Sequence, residues 1–139
     1  MVKIIDYFLG GAKKKSSEIW TNVKRVSRKK LKNTIVSLNE SLPLIEEAGF
    51  VLVRLDVDIA IVPRIFTRFR QVKEIDEKDR KSILKKTKKQ KLLNIILHGL
   101  FQGVSIKKEV NIANMNLQEI ELEIGLTPSA KLIFRNNDG

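Results

Sequence analysis

Two pairs of carboxylates stand where chemistry is conceivable: Asp56 and Asp58 in LDVDIAIVP, and Glu121 and Glu123 in IELEIGLTP. On an extended strand, positions i and i+2 share a face, so each pair could hold a cation or share a proton. A basic segment follows each pair, carrying Arg64, Arg68 and Arg70 after the first and Lys131 and Arg135 after the second. Cross-strand ion pairs, about 0.2–1 kcal/mol each when exposed, are therefore the simpler expectation. His98 is the only histidine and sits in an apolar run, so a catalytic or ligand role would need distant partners. There is no cysteine, which excludes thiol chemistry, disulfides and thiolate-bound metals. No GxSxG stretch and no phosphate-binding glycine loop occurs. The expectation is a protein that is not an enzyme and carries no cofactor or metal.

The elements that must position these residues are written twice. LVRLDVDIAIVPRIFTRFR (residues 52–70) aligns without a gap on LQEIELEIGLTPSAKLIFR (residues 117–135), with Pro63 and Pro128 at matching turns. Upstream, KLKNTIV (residues 30–36) resembles KLLNIIL (residues 91–97). An ungapped run with its parts in the same order points to duplication of a helix–strand–strand unit. In the first strand Val53, Leu55, Val57, Ile59 and Ile61 alternate with Arg54, Asp56, Asp58 and Ala60, which assigns the first set to an apolar face. Ile65, Thr67 and Phe69 continue that face on the next strand, and Ile120, Leu122, Ile124, Leu126, Leu132 and Phe134 repeat it in the second copy.

Apolar residues at steps of three and four predict a first long helix, capped by Ser16 or Ser17, kinked at Pro43 and ended by Gly49. A second long helix is expected from EIDEKDRK to near Gly99 or Gly103, with acids in its first turn where the dipole prefers them. Its later half is apolar on every side. Leu93, Ile96, Leu97, Leu100 and Phe101 must therefore be covered by more than a sheet, and they are candidates for a homodimer interface or for deep burial. The expected fold is a two-layer α+β domain of αββ–αββ order, with a four-stranded mainly antiparallel sheet covered on one face by two helices related by a pseudo-two-fold axis. Residues 1–15 form an N-terminal arm. Residues 16–139 form one domain of two repeats, about 16–74 and 75–139.

The formal net charge is +11, and it is uneven. Residues 1–33 hold ten Lys/Arg against Asp6 and Glu18, and residues 80–91 hold seven with no acid. The basic runs KRVSRKKLKN and KKTKKQKLLN both precede the repeated helix. A solubilising face is the plain explanation; a polyanionic partner is the functional one. The candidate polyanion-binding residues are Lys13, Lys14, Lys15, Lys24, Arg25, Arg28, Lys29, Lys30, Lys85, Lys86, Lys88 and Lys89. Stacking aromatics are scarce, Phe66 between Arg64 and Arg68 being the one plausible platform for a nucleic acid. Ile4, Ile5, Phe8 and Leu9 beside the lysines, with Trp20 at the border, read as a membrane anchor. The expected function is a binding module on an anionic membrane surface, with nucleic-acid backbone binding or homo-oligomeric assembly as alternatives. No run approaches eighteen apolar residues and no signal peptide is evident, so the expected location is the cytoplasm, at the membrane periphery.

Overall fold

The two hairpins form the frame on which everything else packs. The structure, a computed structural model, describes residues 16–60, 62–124 and 129–136, with side chains from Arg28 onward. In chain order it forms α1 (Ser16–Glu47), β1 (Phe50–Asp58), β2 (Arg64–Gln71), α2 (Glu77–Lys86), α3 (Lys91–Glu109), β3 (Met115–Ile124) and β4 (Ser129–Asn136). Among the described residues this is an α+β architecture of three helices and an open antiparallel sheet ordered β1-β2-β3-β4.

Two expectations need correction. The second long helix is two helices, α2 and α3, because residues 85–91 offer no apolar side chain to hold two further turns on the core. Thr87 ends α2 instead, its backbone and side chain both donating to the Ile83 carbonyl, while Asn94 Nδ2 donates to the Leu84 carbonyl at 3.3 Å. The pseudo-two-fold axis is absent. In an antiparallel meander β1 and β3 run the same way, so the second hairpin follows the first by a shift of two strand spacings, about 10 Å. α1 continues as one helix through Pro43. Pro43 and Asn39 are both exposed, so the Asn39 carbonyl that loses its donor can bond to water.

The hairpins have one register. Each β1–β2 pair recurs 65 residues later in β3–β4, from Phe50↔Gln71 and Met115↔Asn136 to Asp58↔Arg64 and Glu123↔Ser129. Even the irregularity recurs, with Val53 inserted between Leu52 and Arg54, and Gln118 between Leu117 and Glu119. An inserted residue flips the alternation. It therefore puts Leu52 on the same face as Leu55 and Val57, and Leu117 on the same face as Ile120 and Leu122. Val53 itself does not join the core face.

The central strands carry the core. Ile65, Thr67 and Phe69 on β2 and Ile120, Leu122 and Ile124 on β3 are all buried. α1 adds Thr34, Leu38, Ser41 and Ile45 at steps of four, three and four. The two hydroxyls on that stripe are satisfied within the helix, Thr34 donating to the Lys30 carbonyl and Ser41 to the Ser37 carbonyl, each at 2.7 Å. α3 supplies Leu93, Ile96, Leu97 and Leu100, each at most 1 % exposed, and each such side chain contributes about 1.5–3 kcal/mol on burial.

α3 lies close to the sheet because its underside is glycine. A methyl on Gly99 would meet Leu122 Cδ2 at 2.9 Å, and one on Gly103 would meet Ile120 Cδ1 at 2.8 Å and Leu132 Cδ2 at 3.1 Å. Gly103→Val is expected to lower stability by about 1–3 kcal/mol through overpacking against two residues. Gly99→Ala should be nearly neutral, since one flexible leucine can give way and alanine gains up to about 1 kcal/mol of helix propensity. Urea melts of the two variants check the contrast, and equal losses would contradict it.

Candidate functional site

The carboxylate pairs lie in an ionic ladder across the outer face of the sheet. Alternation places Asp56, Asp58, Arg64, Phe66, Arg68, Glu119, Glu121, Glu123 and Lys131 on that face, opposite the core. Arg64 bonds Asp58 at 3.0 Å and reaches Glu123 at 3.4 Å. Arg68 bonds Glu121 at 3.1 Å and lies 3.8 Å from Glu119. Lys131 approaches Glu121 at 3.5 Å, Arg135 approaches Glu119 at 3.3 Å, and Arg54 bonds Asp56 at 3.0 Å. The hydrogen bond that Arg64 donates to the Asp58 carboxylate holds the guanidinium above its ordinary pKa, with weaker help from Glu123.

The ladder gives each of its carboxylates a cation partner. Among the described residues no three His, Cys, Asp or Glu side chains cluster as metal ligands. Five acids and five bases cancel here, so the +11 of the chain lies off the ladder. Phe66 sits within it, under the Arg64 guanidinium at 5.4 Å. The one candidate stacking platform is thus held in a charge-balanced face. His98 is exposed on α3.

The basic residues divide three ways. Lys13, Lys14 and Lys15, with Ile4, Ile5, Phe8 and Leu9, lie outside the described residues. Lys24, Arg25 and Trp20 belong to α1, but their side chains fall outside those described. Arg28 and Lys29 are exposed on α1 and Lys30 is half-buried. Lys85, Lys86, Lys88 and Lys89 are all exposed at the end of α2 and in the turn before α3. Lys86 lies 3.9 Å from Glu47 at the end of α1, whereas Lys85, Lys88 and Lys89 have no ion partner among the described residues.

The break in the second helix changes the meaning of this run. Lys85 and Lys86 occupy the last turn of α2, where the dipole favours cations, so helix stability accounts for them in part. Lys88 and Lys89 precede the N-terminus of α3, where cations are disfavoured. The two basic runs also differ in structure. The first is continuous helix and the second crosses a turn.

The apolar half of α3 turns out to need no second subunit. The sheet covers its underside, α1 one flank and α2 another, and Phe101 is tilted against Phe50 at 6.1 Å beneath the Arg80 guanidinium. Leu93, Ile96, Leu97, Leu100 and Phe101 are interior residues, 0–7 % exposed, and not an interface between copies.

One open groove, about 710 Å³, runs between the start of α2 and the end of α3. Its walls mix Glu74, Asp76 and Glu77 with Arg80, Lys81 and Lys108, which suits no single sign of ligand charge. A hydrogen bond from Lys108 at 3.2 Å holds the Glu74 carboxyl below the usual range, aided by Lys107 and Arg80. Asp76, one of the acids expected in the first turn, is instead the N-cap of α2, accepting from the Asp79 backbone N–H at 2.7 Å. Its place before three charged residues of a helix start was the available signal.

No helix among the described residues is long and apolar enough to cross a membrane. No family model, no curated protein and no solved structure matches the chain, so the reading of its function rests on the charge and geometry above.

Proposed function

We propose that the protein is a non-enzymatic module that binds an anionic lipid surface through the basic residues of its helical side, and that its αββ–αββ plan arose by duplication. One observation carries the first part. Exposed Lys85, Lys88 and Lys89 have neither an ion partner nor a packing role among the described residues, while Arg54, Arg64, Arg68, Lys131 and Arg135 on the sheet face are matched and Arg70 alone of that face's cations is not. The identical hairpin registers with matching bulges support the second. α2 is then an insertion before the second helix. Lipid is favoured over nucleic acid because Phe66 lies in the neutral ladder, away from the basic residues, so stacking and charge do not converge. The arm with Ile4, Ile5, Phe8 and Leu9 would supply the apolar half of a two-signal anchor, and the protein would act at the membrane periphery.

The test is co-sedimentation with anionic and neutral vesicles beside a nucleic-acid gel shift, each across a salt series. Binding to anionic vesicles alone, weakening as the Debye length falls from about 10 Å at 0.1 M salt to about 3 Å at 1 M, is the expected result. Deleting residues 1–11 should weaken vesicle binding and leave any nucleic-acid shift unchanged. Binding to nucleic acid only would replace lipid with a phosphate backbone as the partner, and binding to neither at low salt would leave the lysines as solubilising residues.

A further inference from the structure

The junction between the two hairpins contains instructions for adding a third. β2 meets β3 through five pairs, from Ile65↔Ile124 to Phe69↔Ile120. β4 has the position in the second hairpin that β2 has in the first, and β1 has the position that β3 has in the second, each 65 residues away. β1 and β4 are also the two edges of the sheet, with one side of each unpaired among the described residues. We propose that β4 of one copy pairs with β1 of a second copy of this chain in the register of the β2–β3 junction, giving a continuous head-to-tail sheet.

The register names the contacts. Shifting Ile65↔Ile124 by 65 residues sets Ala130 opposite Ile59 of the second copy. Thr67↔Leu122 becomes Leu132 opposite Val57, and Phe69↔Ile120 becomes Phe134 opposite Leu55. The residues on the receiving side have apolar surface to bury, for Ile59 is 78 % exposed and Leu55 39 % exposed, although Leu55 is on the core face of the sheet. Their counterparts at the internal junction, Ile124 and Ile120, are each 2 % exposed. The difference between the two sets is what a neighbouring strand and its helix cover.

Charge agrees with the match. Phe66↔Glu123 becomes Lys131 opposite Asp58 of the second copy, while Arg68↔Glu121 becomes Ile133 opposite Asp56, and Arg135, level with Arg54, is diagonal to Asp56. The outer face of β4 carries Lys131 and Arg135, and that of β1 carries Arg54, Asp56 and Asp58, so a basic edge meets an acidic one. Two copies of β1 would instead bring like carboxylates together, and two copies of β4 would bring like cations together. That disfavours the symmetric pairings. Because the contact uses two different edges, it is open-ended: it builds chains, or a ring where the rotation closes.

The absence of native cysteine gives a direct test. Ile59 and Ala130 are both exposed, so Ile59→Cys and Ala130→Cys spare the core. Within one chain they sit on strands three spacings apart, about 14 Å, too far for a disulfide, whose Cα atoms lie within about 7 Å. Across the proposed junction they are directly opposite, about 5 Å apart. In a glutathione redox buffer without lipid or nucleic acid, the double variant should give a ladder of dimers, trimers and larger species. The two single variants mixed should give one heterodimer and no more, and each alone should stay at the background set by Ser82→Cys, an exposed site on α2. Homodimers from one single variant above that background would overturn the proposal in favour of a symmetric edge. A double variant that stays uncross-linked, with a native chain that sediments as a monomer at every concentration, would overturn it in favour of an edge left open or covered by the same chain.

Discussion

Exchanging Lys85, Lys86, Lys88 and Lys89 for glutamate should abolish measurable binding to anionic vesicles. Each lysine near such a surface contributes about 1 kcal/mol, so removing four lowers partitioning by roughly a thousandfold, and four new carboxylates add repulsion. The fold should survive, because all four side chains are exposed and only Lys86 has an ion partner, Glu47 at 3.9 Å. A change at Lys86 sets like charges there, at a cost of a few tenths of a kcal/mol to about 1 kcal/mol for an exposed pair. The comparison variant is Lys131→Glu, which alters the ladder and not the helical side. It should leave vesicle binding within a small factor of the native chain. Co-sedimentation of both variants, with circular dichroism to confirm folding, decides the matter. A quadruple variant that binds as the native chain does would end the lipid reading.

Gly49→Val should be the most damaging single glycine substitution in the fold. Gly49 ends α1 with φ +103°, a conformation side chains rarely adopt, and a Cβ there would run into the Lys73 carbonyl oxygen. The same residue ties helix to sheet, since its carbonyl accepts from Val72 N–H at 2.7 Å and Lys73 N–H at 3.3 Å. Backbone strain of this kind costs about 1–3 kcal/mol, and a collision with backbone cannot be relieved by a rotamer. A loss of about 3 kcal/mol is expected, which lowers Tm by roughly 10 °C in a domain of this size. Gly49→Ala should do nearly as much, because the first added carbon causes both problems. Thermal melts of the two variants check this, and an alanine variant as stable as the native chain would refute the account.

How much of this was legible in the sequence depended on range. The hairpins were, because alternation and the acidic–basic order of Asp58, Arg64, Glu121 and Lys131 are local patterns. The ladder followed from them. The bulge was legible in the second copy but missed: apolar residues fall at Met115 and Leu117, then at Ile120 and Leu122, a change of parity that requires an inserted residue, whereas Val51 and Val53 mask it in the first copy. The break at Thr87 also had a signal, the gap from Leu84 to Leu92 with no apolar residue, which leaves two helical turns without an anchor. Strand order was not legible. Alternation tells which face a side chain takes and says nothing of which strand lies beside it. The interior place of Leu97 and Leu100 was open for the same reason, since it depends on α1 and α2 both reaching α3.

The meander also sets an order of events in time. Within each hairpin the partners are close in sequence, and Asp58 and Arg64 are six residues apart. Thr67 and Leu122, at the middle of the sheet, are 55 residues apart. Closing that longer loop costs more chain entropy before any contact repays it. The best-buried seam of the native protein should thus be the last to form from the unfolded chain. Until it does, β2 and β3 are two further bare edges, and a refolding chain at high concentration can pair them with the wrong copy.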